Sequence, residues 1–272
     1  MEKLTAEMRF IKDRMKEVWS AGNFGEIAKI IEHEGHSFVE RLNIRPHSAV
    51  LDVACGTGNL AIPAARLGAR VTGIDIVPAL IEQANAKARS ENLEINFEVG
   101  DAEALPYENN EFDFVVTMFG AMFCPRPEVA ASELFRVCKP GGVVAMANWT
   151  PEGFIGSFFK LGSSYMPPPP GIRPPVEWGV ENIVLERIND KASHMQMERR
   201  MLRQKMPMPV KEVVDYFIKY FGPTNKLYEL LNEKYKQDLK NRLFKLFSEN
   251  NLSKTDNVEI DAEYLEVHAV KK

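Results

Sequence analysis

Apolar residues recur at helical spacing through the N-terminal part of the chain. Leu4, Met8, Ile11, Met15 and Val18 follow one another at alternating steps of four and three, which predicts an amphipathic helix. Ala21-Gly22-Asn23 breaks it, and Ile27, Ile30, Ile31, Phe38 and Leu42 predict a second helix ending near Arg45-Pro46. The texture then changes to short apolar runs at Ala49 to Val53, Val71 to Asp75, Ile95 to Val99, Phe112 to Thr117 and Gly142 to Ala147. Helix-compatible stretches fill 59–67, 78–91 and about 127–138 between them. Strands alternating with helices predict a parallel sheet covered on both faces. After Trp149 the alternation stops. Residues 151–185 hold Gly153, Gly156 and Gly162, an aromatic cluster (Phe154, Phe158, Phe159, Tyr165, Trp178) and the stiff run Pro167 to Pro170, which together read as an inserted lid. A strand at 193–204, helices at about 210–220 and 226–248, and a closing strand at Tyr264 to Val270 complete the pattern, with no internal repeat.

The 272 residues fit one domain with an insertion or two domains, and 45% hydrophobic with 26% charged residues excludes a disordered, collagen-like or disulfide-scaffold chain. A net charge of −4 argues against a dedicated nucleic-acid binder. No apolar run approaches the roughly 18 residues of a membrane span, and Met1-Glu2-Lys3-Leu4 opens a polar amphipathic stretch unlike a secretory signal. Cys55, Cys124 and Cys138 are too few and too scattered for a disulfide framework or a zinc site, so a reducing, cytoplasmic location is expected. The charge is uneven. Residues 191–245 carry thirteen Lys and Arg against six Asp and Glu, a local +7 against −11 for the remainder. Basic residues interspersed with acids predict a solvated face and not an RNA-binding arm, and an anionic acceptor stays open.

The most informative segment is Val50-Leu51-Asp52-Val53-Ala54-Cys55-Gly56-Thr57-Gly58-Asn59-Leu60, a strand feeding a glycine-rich turn and then a helix that tolerates Pro63 in its first turn. Gly56 and Gly58 let the backbone approach a ligand closely, beside a helix N-terminus. Asp75, seventeen residues beyond Gly58, ends the second strand, where a carboxylate accepts both ribose hydroxyls of a nucleotide. Gly56, Gly58 and Ala61 also satisfy the dinucleotide pattern GxGxxA, so a nicotinamide or flavin enzyme competes. Asp52 weighs against it, because a carboxylate there repels a pyrophosphate but suits a cationic amino-acid portion or an ordered water. Gly100-Asp101-Ala102, Leu105-Pro106-Tyr107, Glu111-Phe112-Asp113 and Arg136-Val137-Cys138-Lys139-Pro140-Gly141-Gly142 follow in order.

With VLDVACGTG, VTGID, GDAEALPY, FDFV and RVCKPGG, the chain resembles the class I S-adenosylmethionine-dependent methyltransferases, in the small-molecule branch that includes the ubiquinone and menaquinone C-methyltransferases. The resemblance implies an α/β, Rossmann-like, doubly wound seven-stranded sheet of order 3-2-1-4-5-7-6 with the last strand antiparallel, N-terminal helices and an inserted helical lid. The expected division of a single domain over 1–272 is an N-terminal cover (1–45), a cofactor-binding core (46–150), lid and substrate regions (151–192 and 205–250) and closing strands (193–204 and 262–271). Carried over residue by residue, the loop Asp52, Ala54, Cys55, Gly56 and Gly58 faces the methionine portion of the cofactor. Asp75 binds the ribose, Ile76 packs on adenine, Asp101 and Ala102 meet the adenine edge, and Thr117, Met118 and Phe119 close the site. Ala54 departs from the first glycine of DxGxGxG. The N-terminal signature of the quinone branch is absent, so quinone methylation is not inferred.

A sulfonium methyl is already activated, so alignment and exclusion of water suffice and a dedicated base is optional. Trp19 and Phe24 are candidates to cover the cationic ligand. Ligands bind beyond the carboxyl ends of parallel strands, which directs attention to Thr117 to Phe123 and Asn148-Trp149. Phe119, Met122, Phe123, Trp149, Phe154, Phe158 and Tyr165 are expected to form an apolar pocket for a hydrophobic or aromatic small-molecule acceptor. Tyr165, His36, His194 and Trp149 are the acceptor-side candidates, and no catalytic residue is assigned. His33-Glu34-Gly35-His36 has metal-like composition without the HExxH spacing, so no metal is expected. The chain has no Asn-Pro-Pro-Tyr-like tetrad. A NAD(P)-dependent oxidoreductase and a non-catalytic S-adenosylmethionine-binding protein are the alternatives, and oligomeric state is unread.

Overall fold

A computed structural model of the chain describes residues 5–272. Met1 to Leu4, including the first member of the N-terminal stripe, lie outside the described residues. Thr5 caps α1 (Ala6–Ser20) by accepting the Met8 N–H at 3.1 Å, and Asn23 caps α2 (Phe24–Arg41) by accepting that of Gly25. The alternating core follows as β1 (Ala49–Val53), α3 (Ala61–Arg66), β2 (Arg70–Asp75), α4 (Pro78–Ser90), β3 (Ile95–Val99), β4 (Phe112–Met118), α5 (Pro127–Val137) and β5 (Cys138–Trp149). Pro78 and Pro127 stand at helix starts, where the missing N–H costs nothing. The lid is α6 (Phe154–Tyr165), a 3-10 turn at Pro175–Gly179 and α7 (Glu181–Ile188). Then come β6 (Ala192–Met206), α8 (Val210–Tyr220), α9 (Gly222–Leu230), α10 (Glu233–Asn250) and β7 (Val258–Lys271).

The strands form one doubly wound sheet of order β3-β2-β1-β4-β5-β7-β6. β1 to β5 pair in parallel, and β7 inserts antiparallel beside β5, from Val143 opposite Val270 to Trp149 opposite Tyr264. This is the order and the antiparallel last strand that the resemblance implied. β1 is buried on both faces, with Val50, Leu51 and Val53 fully enclosed, as a central parallel strand requires.

Four elements differ from the expectation, each for a local reason. β5 starts at Cys138 and not at Gly142, because a register shift between Phe112 and Phe114 on β4 absorbs Pro140 and the left-handed Gly141 (φ 73°). β6 and β7 extend to Met206 and back to Val258. Their outer faces carry Arg203, Glu259 and Asp261 in ion pairs, so charge hides the alternation. The stretch at 226–248 is two helices, parted at Leu231-Asn232, where the Asn232 side chain caps α10 by accepting the Tyr235 N–H at 3.1 Å. The basic segment is largely paired: Arg199 with Glu181 and Glu263, Arg203 with Asp261, Lys240 with Asp215.

Candidate functional site

The strand order reverses between β1 and β4, and a crevice opens beyond their carboxyl ends where the two halves of the sheet diverge. The loop after β1 turns sharply there, with Ala54, Gly56 and Gly58 all left-handed (φ 55°, 54° and 84°). Ala54 therefore occupies, with a side chain, a conformation glycine adopts freely. Gly120 makes room for it. A Cβ at Gly120 would lie 2.6 Å from the Ala54 carbonyl oxygen.

Asp75 organises the other side. One carboxylate oxygen accepts the Gly56 N–H at 2.9 Å and the other that of Val77 at 2.9 Å, so a single side chain ties the β1 loop to the start of α4. Burial pushes its pKa above the usual carboxylate value, and these backbone donors pull it back in part. The Ile76 N–H acts in the same sense, and the carboxylate's roughly four lone-pair sites still leave room for a further donor.

A cavity of about 100 Å³ lies over these groups. Of the residues expected there, Ala54, Cys55, Gly56, Asp75, Ile76, Asp101, Ala102, Met118, Phe119 and Trp19 line it. Three do not. Asp52 turns beneath the loop, where its carboxylate accepts the Ala61 N–H at 3.0 Å and satisfies the first turn of α3; it does not line the cavity. Burial raises its pKa to about 8. Gly58 lies against Phe97 and Ile62, and Thr117 accepts the Ala121 N–H at 3.0 Å, fixing the turn after β4. The Cys55 and Cys124 thiols, both on the cavity wall, are pushed up by burial and stay neutral.

The cover comes from α1 and α2. Lys12 is 6% exposed and bridges Asp101 and Glu103, the latter at 2.6 Å, while Arg126 reaches the same Glu103 oxygen at 2.7 Å. The cover thus closes on the acid at the end of β3. Met15, Ala28 and Ile31 also line the cavity and were not singled out in the sequence. Lys12 carried a signal all the same: Met8, Lys12, Met15 and Trp19 share one helical spacing, and a lysine on an apolar face calls for a buried acid.

Phe119, directly after β4, lies in the left-handed region (φ 55°), an unusual state for a bulky residue that costs about 1–3 kcal/mol. Its ring stacks on Trp149, with centroids 3.6 Å apart and planes within 7°. Behind the pair lies a second, aromatic chamber of about 50 Å³, walled by Trp19, Phe24, Phe119, Phe123, Trp149 and Phe158 among others, with Gln204 from β6. A third, apolar cavity of about 680 Å³ continues between α1, α6, Pro167 to Pro170, α9 and α10.

Of the expected acceptor-side groups, Trp149 alone reaches these chambers. Tyr165 points outward, donating to the Asp238 carboxylate beneath the Arg242 guanidinium, 5.2 Å above its ring. His36 lies beside Arg66 at 3.3 Å, and His194 is exposed on the edge strand β6. Both face away because their elements pack on the sheet through other residues. Met122 is buried outside the chamber, and Phe154 packs on Phe247 at 5.2 Å. Glu34 is held by Arg41 at 2.7 Å and by the Tyr264 hydroxyl at 2.6 Å.

The chain is similar to known proteins in both sequence and fold. A family model described as a methyltransferase domain matches residues 50–142. An uncharacterised protein of Mycobacterium tuberculosis is 37% identical over 226 residues, 82% of each chain. Demethylmenaquinone methyltransferase of Deinococcus radiodurans is 38% identical over 116 residues, 41% of this chain and 48% of its own. Phosphoethanolamine N-methyltransferase 2 of Haemonchus contortus, solved with S-adenosyl-L-methionine, has a TM-score of 0.57 at 17% identity, over 88% of this chain and 53% of its own.

Proposed function

Because this chain belongs to the class I S-adenosylmethionine-dependent methyltransferases, we propose that its first cavity binds S-adenosylmethionine and that the methyl group passes by in-line displacement to a hydrophobic or aromatic small molecule, leaving S-adenosylhomocysteine. The observation that carries this reading is Asp75. It sits at the end of β2 on the cavity wall, anchored through both oxygens to backbone N–H groups and still able to accept from vicinal hydroxyls.

The residues present fit the cofactor. A Cβ at Gly56 would meet nothing nearer than Phe24 at 4.0 Å, so the loop offers bare backbone to a ligand. Ile76 and Leu80 supply an apolar wall for a flat base, with Asp101 and Ala102 at its edge, and Trp19 and Phe24 supply aromatic faces. S-adenosylmethionine would contribute a methyl group already activated for transfer. The protein's part is then to orient and to keep water out, and the stacked Phe119–Trp149 pair beside Phe123 does both at the boundary of the chambers. Among the described residues no charged side chain lines the aromatic chamber, which favours a neutral, apolar acceptor. No described helix is long and apolar enough to cross a membrane. We place the protein in the cytoplasm on its cysteine usage, and read 1–272 as one domain with the cover, core, lid and closing strands given above.

Equilibrium binding of S-adenosylhomocysteine and of NADPH to the purified protein tests the cofactor. Labelled-methyl transfer to a panel of phenols, carboxylates, amines and thiols then tests turnover. Tight NADPH binding with no response to S-adenosylhomocysteine refutes the reading, and cofactor binding without transfer to any acceptor favours a non-catalytic binding protein.

A further inference from the structure

The third cavity, about 680 Å³, falls within the about 300–1,000 Å³ of pockets that take drug-sized ligands, whereas the aromatic chamber, about 50 Å³, holds no more than the end of one. Its wall is apolar almost throughout. Among the described residues Arg14 is the only charged side chain on it, and Arg14 is exposed. Trp19 and Phe123 belong both to this wall and to that of the cofactor cavity, so the two spaces adjoin. The wall reaches the surface at Phe10, Met166 and Pro167 to Pro170, all exposed. A molecule lodged here spans from the cofactor toward solvent.

One helix face borders this space. Phe158, Phe159, Gly162, Ser163 and Met166 follow one another along α6 and its C-terminal cap at the spacing of a single face, with Gly162 at its middle, and all but the cap lie within the helix. Glycine is the poorest helix former after proline, so a glycine inside a helix calls for a reason. At Gly162 the usual reasons are missing. Of the chain's 17 glycines it alone has neither a left-handed φ nor a heavy atom within 4 Å of where a Cβ would stand. Gly156, earlier on the same helix, is the contrast: a Cβ there would lie 2.2 Å from the Pro151 carbonyl oxygen. The backbone at Gly162 would accept a side chain, and what its absence preserves is room in the cavity.

We propose that this cavity takes the body of the methyl acceptor, an uncharged molecule with an elongated apolar body longer than a single ring, and that Gly162 sets the length it admits. This rests on the methyltransferase reading above. The reacting end reaches past Trp19 and Phe123 toward the cofactor, and the body lies along α6 toward Met166 and the proline run. Affinity comes from apolar area removed from water, so it grows with the length of the body until the wall stops it. A side chain at position 162 moves that stop inward. An ionised body finds no counter-charge on the buried part of the wall, which disfavours it.

The test is equilibrium dialysis of 4-ethylphenol, 4-butylphenol and 4-hexylphenol against full-length protein saturated with S-adenosylhomocysteine. In the wild type affinity should climb about three- to fourfold per added methylene, on the order of 100-fold from ethyl to hexyl. In Gly162→Leu, 4-hexylphenol should lose about tenfold, the worth of roughly two methylenes, while 4-ethylphenol and S-adenosylhomocysteine stay within about twofold of wild type. Gly162→Ala should melt at the wild-type temperature or above it, because alanine is the better helix former and its Cβ meets nothing. The wild-type series needs no variant, so a misfolded Gly162→Leu does not remove it. A flat wild-type series, no binding of any probe, the full climb retained in a folded Gly162→Leu, or a lower melting temperature in Gly162→Ala overturns the assignment of the cavity and Gly162 alone. Failure of the wild type to bind S-adenosylhomocysteine overturns the assignment together with the reading it rests on.

Discussion

Asp75→Asn is the substitution that asks most of the cofactor site. The side chain keeps its size, but it now has one carbonyl oxygen for two backbone donors, so its amide faces either Gly56 or Val77 donor to donor. Leaving one buried N–H unpaired costs about 1–3 kcal/mol. On the cavity side, hydrogen bonds to a charged acceptor, worth about 1.5–3 kcal/mol each, become neutral ones worth about 0.5–1.5. Part of the folding loss is recovered, because burial had already been opposing the Asp75 charge. The net expectation is a loss of about 2–4 kcal/mol in S-adenosylhomocysteine affinity, roughly 30- to 1,000-fold, with a smaller fall in stability. The pH dependence has a definite sign. With its pKa raised in the folded protein, Asp75 holds a proton above pH 3.8, and between that value and the raised one stability falls as pH rises. Ligand hydroxyls favour the ionised carboxylate, so wild-type affinity should climb with pH through the same window while that of Asp75→Asn stays flat. Isothermal titration at several pH values reads both. A dissociation constant within threefold of wild type, or the same slope in both proteins, would show that Asp75 only caps the loop.

Asp52, with a pKa raised to about 8, should make stability fall as pH rises from about 4 to 8 and level off above; thermal melts across that range should show the slope in wild type and a flattened one in Asp52→Asn. Gly120→Ala places a Cβ 2.6 Å from the Ala54 carbonyl, so backbone must move; a loss of about 1–3 kcal/mol by denaturant titration is expected, and an unchanged midpoint would mean the loop yields freely. Tyr165→Phe, His36→Ala and His194→Ala should leave methyl transfer within about twofold of wild type, since surface substitutions remote from a site do little. A tenfold loss in any of them would show that this side chain reaches the acceptor.

The sheet was legible because each of its first four strands is a short apolar run closed by a turn residue, and because Gly56, Gly58 and Asp75 mark one strand-turn-helix junction and the strand beyond it. The full length of its last two strands was not, since Arg199, Arg203, Glu259 and Asp261 cancel one another in pairs and mask the alternation toward their ends. The cavity wall coincides with the expected residues where it is contiguous in sequence, from Ala54 to Gly56 and from Asp75 to Ile76. Asp52 turns away from the cavity toward the Ala61 N–H, and composition cannot say on which side of a strand a carboxylate finds its donors. Met15, Ala28, Ile31 and Gln204 reach their chambers through tertiary packing, and no local spacing singles them out.

Four rings, Trp19, Phe24, Phe119 and Phe123, bound two chambers at once. If the two chambers take the ligands proposed for them, a shift of these rings on binding one alters the room of the other, and any such linkage is reciprocal. Whatever factor the cofactor contributes to acceptor binding, the acceptor returns to the cofactor. Dissociation constants for either ligand therefore describe this protein only when the occupancy of the neighbouring chamber is stated with them.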